Sequence, residues 1–234
     1  MRAFAVLLAL FVVAGCATKV GRDGKRETTF DAKYLAKTEI DRVIDTSRTE
    51  AVSSLMIIAD KLYRRNPREW RKAGFPSREA ALERLTQRQT LPAMLEGKRE
   101  GSAAMLAFRE DFAGDRVGAL MFGLLTMVDA AFENKAESFV LDSLNEQKLY
   151  NCARNIEIAL WKLATAKNNV GEFFLLSNEI DPNNRNISFE REFGRAIGVL
   201  DLLSKVVADT NGRGVTRLTQ SVATAFFLPV SLLK

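Results

Sequence analysis

Beyond residue 30, apolar positions recur every three or four residues along nearly the whole chain, and runs that alternate apolar with polar are scarce. That spacing predicts an all-α fold, a single compact domain of about seven or eight helices on a short N-terminal tether. The first helix is expected from Asp31 to about Arg65, on Ile40, Val43, Ile44, Val52, Leu55, Ile58, Ala59 and Leu62, with an interruption near Thr46-Ser47. Pro67 ends it, because proline disfavours helix in the residue before it. Ser77 is placed to cap a short helix to about Gln87, with Glu79 in its first turn. Pro92, Gly97 and Gly101 punctuate a less regular stretch.

Further along, an apolar helix is expected from about Asp115 to Glu133, and a long one from about Lys135 to Asn168 with Leu149, Cys152, Ile156, Leu160 and Leu163 on its buried stripe. A short helix follows from Val170 to Leu176, then a loop to Ile187, a helix from Ser188 to about Asp209 and a last helix from about Val215 to Leu228. The uncharged stretch from Leu218 to Leu233 needs a cover, and the protein core is the expected one. Gly118 and Gly198 lie four residues after other glycines, Gly114 and Gly194, which predicts close helix crossings at both.

The N-terminus departs from this pattern. Arg2 precedes an uncharged run from Ala3 to Gly15, and the run ends at Val13-Ala14-Gly15-Cys16. This resembles the signal peptide and lipobox of bacterial lipoproteins, in which small residues precede a cysteine that becomes the N-terminus. The resemblance covers this segment only. It implies removal of residues 1–15, acylation of Cys16, and anchoring to membrane lipid by several chains, which hold stably where one does not. Ala17 after the cysteine implies transfer to the outer membrane, with the domain facing the periplasm. Residues 16–29 are then the acylated cysteine and a polar tether, and residues 30–234 the helical domain.

Composition narrows the chemistry. There is no histidine, which removes a Ser-His-Asp triad, a Cys-His pair and a His-ligated zinc. A net charge of +5 raises the question of nucleic acid. However, Lys19, Arg22, Lys25 and Arg26 against Asp23 and Glu27 put part of the excess on the tether, and residues 30–234 carry 29 basic against 27 acidic residues. No nucleic-acid partner is expected. With Cys16 acylated, Cys152 stands alone on a helical stripe and reads as an inert core residue.

One stretch is distinctive. Between Asp60 and Lys72, Lys61, Arg64, Arg65, Arg68, Arg71 and Lys72 are interleaved with Tyr63 and Trp70. Arg64, Arg65, Arg68, Trp70 and Arg71 form a candidate binding patch for lipid headgroups, cell-wall carboxylates or an acidic protein of the envelope. The plainer reading is that the arginines oppose a helix dipole while Tyr63 and Trp70 pack inward. Asp181, Asn183 and Glu192 trace a faint calcium-loop outline, spoiled by Arg185 at a ligand position. Glu137-Ser138 is similar to the Glu-Ser pair of lytic transglycosylases, without a second supporting motif. No catalytic residue, metal or cofactor is assigned. The expected function is that of a membrane-anchored, non-enzymatic binding or scaffold module. A carrier of an apolar ligand near Phe173-Phe174 and Phe226-Phe227 is the alternative, and a carboxylate-based lytic enzyme the third reading.

Overall fold

A computed structural model describes residues 17–20, 26–29, 39–88, 95–135, 144–181, 184–212 and 226–231. The leader, Cys16, Glu137-Ser138 and most of the expected last helix lie outside the described residues. The fold is all-α, with seven helices among the described residues and two short antiparallel hairpins.

The chain divides into two units. The first comprises residues 1–45 and 136–142. It contains the hairpin of β1 (Ala17–Val20) and β2 (Arg26–Thr29), in which Ala17 pairs with Thr29 and Val20 with Arg26. Residues 21–25 between the strands lie outside the described residues, and the hairpin falls within the segment read from sequence as a tether. The first turns of α1 (Glu39–Arg65) also belong to this unit.

The second unit, residues 46–135 and 143–234, holds the rest of α1 and the remaining helices. Within it α1 runs without the interruption expected at Thr46-Ser47, burying Ala51, Leu55, Ile58, Ala59 and Leu62 on one stripe. Then come α2 (Pro67–Lys72), α3 (Arg78–Thr86) and α4 (Glu100–Leu106). Ser77 caps α3 as expected, its hydroxyl oxygen accepting from the Ala80 N–H at 3.1 Å.

The centre of the unit is α5 (Arg116–Ala131), which is apolar almost all round and buried almost all round. Helix α4 lies against it so closely that a Cβ on Gly123 would stand 2.5 Å from the Ala104 nitrogen. Glycine is required there because backbone meets backbone. Gly118 is tight for a different reason: a Cβ would meet the carboxylate of Asp115, the residue capping its own helix. A Cβ on Gly194 or Gly198 would meet nothing within 4 Å, so the expected crossing at Gly198 is absent.

The long helix expected over 135–168 is α6 (Glu146–Thr165), which Asn145 caps through its side-chain oxygen. It packs against α7 (Ser188–Asn211). Between them, the helix expected over Val170–Leu176 is instead a tight turn. The Asn168 side-chain oxygen accepts from the N–H groups of Val170 (3.1 Å) and Glu172 (2.8 Å), and Gly171 adopts φ +83°. Those local bonds compete directly with helical ones. The hairpin of β3 (Glu179–Asp181) and β4 (Asn184–Asn186) precedes α7.

Candidate functional site

The basic stretch straddles a break. Helix α1 closes at Arg65, Asn66 leaves helical geometry, and Pro67 opens α2 at its first position. Proline suits that position because its missing N–H would have no partner there. The expected end at Pro67 is thus also a restart. Arg64 and Arg65 terminate one helix, and Arg71 and Lys72 the next, so each pair opposes a helix dipole. Tyr63 is fully buried, while Trp70 is half-buried with the Arg71 guanidinium 4.8 Å from its ring.

The five candidates differ in exposure and in partners. Arg64 donates to Asp60 at 2.9 Å, and the second oxygen of Asp60 takes Arg78 at 3.0 Å. Arg64 also lines a shallow groove of about 560 Å³ with Met56, Ile57 and Leu82. Arg65 is half-buried, whereas Arg68 and Arg71 are exposed on α2.

Below α2 lies a polar knot that the sequence reading misses. The buried Glu69 carboxylate accepts from Lys72 at 2.8 Å and from the Arg116 N–H at 2.8 Å. The Tyr63 hydroxyl donates to one oxygen of Asp115 at 2.6 Å, and the other oxygen accepts from the Gly118 N–H at 2.8 Å. Burial pushes the Asp115 carboxyl up to about 6, against the pull of those two donors. Burial, reinforced by the Asp115 carboxylate, likewise pushes the Tyr63 hydroxyl far up. This knot joins α1, α2 and the start of α5. An acidic residue directly before a long apolar run was the available signal for Asp115.

A second bond pattern ties the corner to the 167–176 turn. The Asn66 amide donates to the Leu176 carbonyl at 2.9 Å, and its oxygen accepts from the Leu176 N–H at 2.8 Å. The base of the turn is further held by Arg116, whose guanidinium lies 4.8 Å from the Phe174 ring and donates to the carbonyls of Ala107 and Arg109. Lys167 stands 4.8 Å from the Phe173 ring. Phe173 therefore faces a cation of the turn itself, and Phe174 a cation of α5.

Phe226 and Phe227 occupy a different place. Residues 226–231 form an irregular strap, with Leu228 and Val230 buried and Phe226 68% exposed. Core thus covers this part of the apolar C-terminal stretch. Asn155 on α6 pairs with both backbone groups of Leu228, and Asn151 donates to the Pro229 carbonyl at 2.8 Å. Beside the strap is a groove of about 470 Å³, lined by Met105, Phe226, Phe227, Leu228 and Val230 together with Arg99 and Glu100.

Cys152 is fully buried on α6, as its stripe predicts, and burial pushes its thiol far up. No cluster of three or more metal-binding side chains occurs among the described residues. Asp181 pairs across its hairpin with Asn184, whereas Glu192 is buried on α7 beside Arg191 and Arg195. Comparison with protein-family models, with curated proteins and with solved structures returns no match.

Proposed function

We propose that this chain is a lipoprotein of the bacterial envelope, held to membrane lipid through an acylated Cys16, whose helical domain serves as a non-enzymatic binding or scaffold module at the outer membrane, facing the periplasm. The observation that carries the reading is the apolar run ending at Val13-Ala14-Gly15-Cys16. Burial of Cys152 supports it, since a walled-off, protonated thiol is a poor partner for a second cysteine. No helix among the described residues is long and apolar enough to cross a membrane. Acyl chains would supply attachment, and confinement near one surface raises the effective concentration of the domain for partners there.

The test is metabolic labelling with a fatty-acid analogue in a bacterial host. The parent is expected to take up label and to stay with the membrane pellet through a high-salt wash, and Cys16→Ser to take up no label and to be released by that wash. Equal labelling and sedimentation of the two chains refutes acylation at Cys16.

A carrier of an apolar ligand is the second reading, favoured by the 470 Å³ groove beside Phe226 and Phe227. A fluorescent fatty acid should bind the parent and be lost with Phe226→Arg and Met105→Arg. Unchanged binding in both variants, or none in the parent, removes this reading.

A further inference from the structure

The turn at 167–176 presents apolar side chains to solvent from a braced base. Val170 is 78% exposed, Phe173 44% and Leu176 51%. Exposed apolar residues scattered singly need no explanation, but these three share one turn closed by bonds to Asn168. The turn does not stand alone, because the Asn66 amide ties Leu176 to the corner between α1 and α2. Arg68 follows two residues after Asn66, and Arg71 completes the next turn of helix.

Charge at this junction is unequal. Glu69 is buried and engaged by Lys72 and the Arg116 N–H, and Asp60 is engaged by Arg64 and Arg78. The carboxylates of the basic stretch are therefore committed inward or sideways, whereas Arg68 and Arg71 stand exposed. Glu172 is exposed within the turn, and Glu110 reaches the Asn169 N–H at 3.4 Å. Within residues 167–176 Lys167 offsets Glu172, Glu110 adds a negative charge beside Asn169, and the uncompensated positive charge sits on α2 at Arg68 and Arg71.

We infer that the 167–176 turn and the adjoining face of α2 form a surface that docks onto an anionic phospholipid bilayer, with Val170 and Phe173 entering the interface and Arg68, Arg71 and Lys167 meeting the headgroups. Two features favour lipid over an acidic protein. The apolar groups project from a turn rather than lining a groove, so they suit a soft interface that needs no matching shape. Lys167 over Phe173 and Arg71 over Trp70 place a cation beside an aromatic ring, an arrangement that puts the ring in the apolar layer and the charge at the headgroups. The half-buried Trp70 suits the same boundary. Anchoring at Cys16 would bring this surface near a bilayer, but the docking chemistry does not require it.

The test uses the full chain with Cys16→Ser, so that every protein compared shares one N-terminus and has no acyl chain. Co-sedimentation is measured with vesicles of phosphatidylcholine alone and of phosphatidylcholine mixed with phosphatidylglycerol. The starting chain should favour the phosphatidylglycerol vesicles. Arg68→Glu combined with Arg71→Glu should weaken that binding at least about 30-fold and abolish the preference. Val170→Asp combined with Phe173→Ser should weaken binding to the mixed vesicles roughly tenfold or more. All four positions are exposed, so thermal melting should change little, and this is checked alongside. Equal partition of the starting chain and both double variants overturns the inference. So does Arg-dependent binding to soluble polyglutamate with no dependence on vesicle charge, which would mark a surface for an acidic protein. Failure of the fatty-acid labelling experiment would count against anchoring and leave the vesicle result standing.

Discussion

Two asparagines in this protein do the same thing in opposite surroundings. Asn155 and Asn66 each use both ends of the side-chain amide to pair with the N–H and C=O of a distant leucine, as a neighbouring strand would. Asn155 is 0% exposed and its partner Leu228 is buried, so the pair closes the core against α6. Asn66 is half-buried and its partner Leu176 faces solvent. Hydrogen-bond geometry alone therefore does not reveal what a contact is worth. The penalty for breaking it depends on whether water can replace the lost partner.

The largest effect should come from Asn155→Ala. It leaves two buried backbone groups of Leu228 without partners, at about 1–3 kcal/mol each, for a loss of about 4 kcal/mol in urea unfolding. A loss below about 1 kcal/mol would mean that the strap re-pairs or admits water, and the contrast with Asn66 would collapse.

Asp115 sharpens the comparison through pH. Its carboxyl is buried with two donors and sits at about 6, against an ordinary 3.8. The folded state therefore holds a proton that the unfolded state releases. The resulting stability is fully present below 3.8 and is lost as pH rises through about 6. The shift corresponds to roughly 3 kcal/mol. Asp115→Asn keeps a good capping residue and should remove that part of the slope in melts taken across this window. An unchanged slope would show that the group does not carry it.

Next come the glycines. Gly123→Ala forces a methyl into the α4 backbone and should destabilise by about 2 kcal/mol. Gly198→Ala meets open space within α7 and should stabilise by roughly 0.5–1 kcal/mol. Chemical denaturation of the pair reads the difference directly, and equal values would contradict the close approach at Gly123. The smallest loss of stability is expected for Asn66→Ala. Water can reach the freed groups of Leu176, so the loss should be about 1 kcal/mol, with faster limited proteolysis of the 167–176 turn.

Local signals in the sequence carried far. Ser77 before an acidic first turn located the start of α3, and the apolar periods located α5, α6 and α7 to within a few residues at most ends. Helices α2 and α4 are too short for a period to register. The turn at Val170–Leu176 has apolar spacing that suits a helix, but the Asn168 side chain and Gly171 decide otherwise. Asn66 and Leu176 are 110 residues apart, and nothing in either neighbourhood announces the bond. The candidate patch was legible as composition: arginines and two aromatics, Tyr63 and Trp70, were grouped at 63–71. Which of them faces solvent was not, because that depends on Asp60 pairing with both Arg64 and Arg78, and on Glu69 turning inward to Lys72 and Arg116. Gly123 was passed over in favour of Gly198, since spacing along one helix does not say where another backbone will cross.

The strap held by Asn155 also sets a timetable for synthesis. Helix α6 emerges from the ribosome well before the strap, whose Leu228 lies 73 residues beyond Asn155. Until that piece arrives, the amide of Asn155 lacks its backbone partner and the part of α6 that Leu228 will cover is still open. The growing chain thus remains unlatched until residues 226–231 have been made.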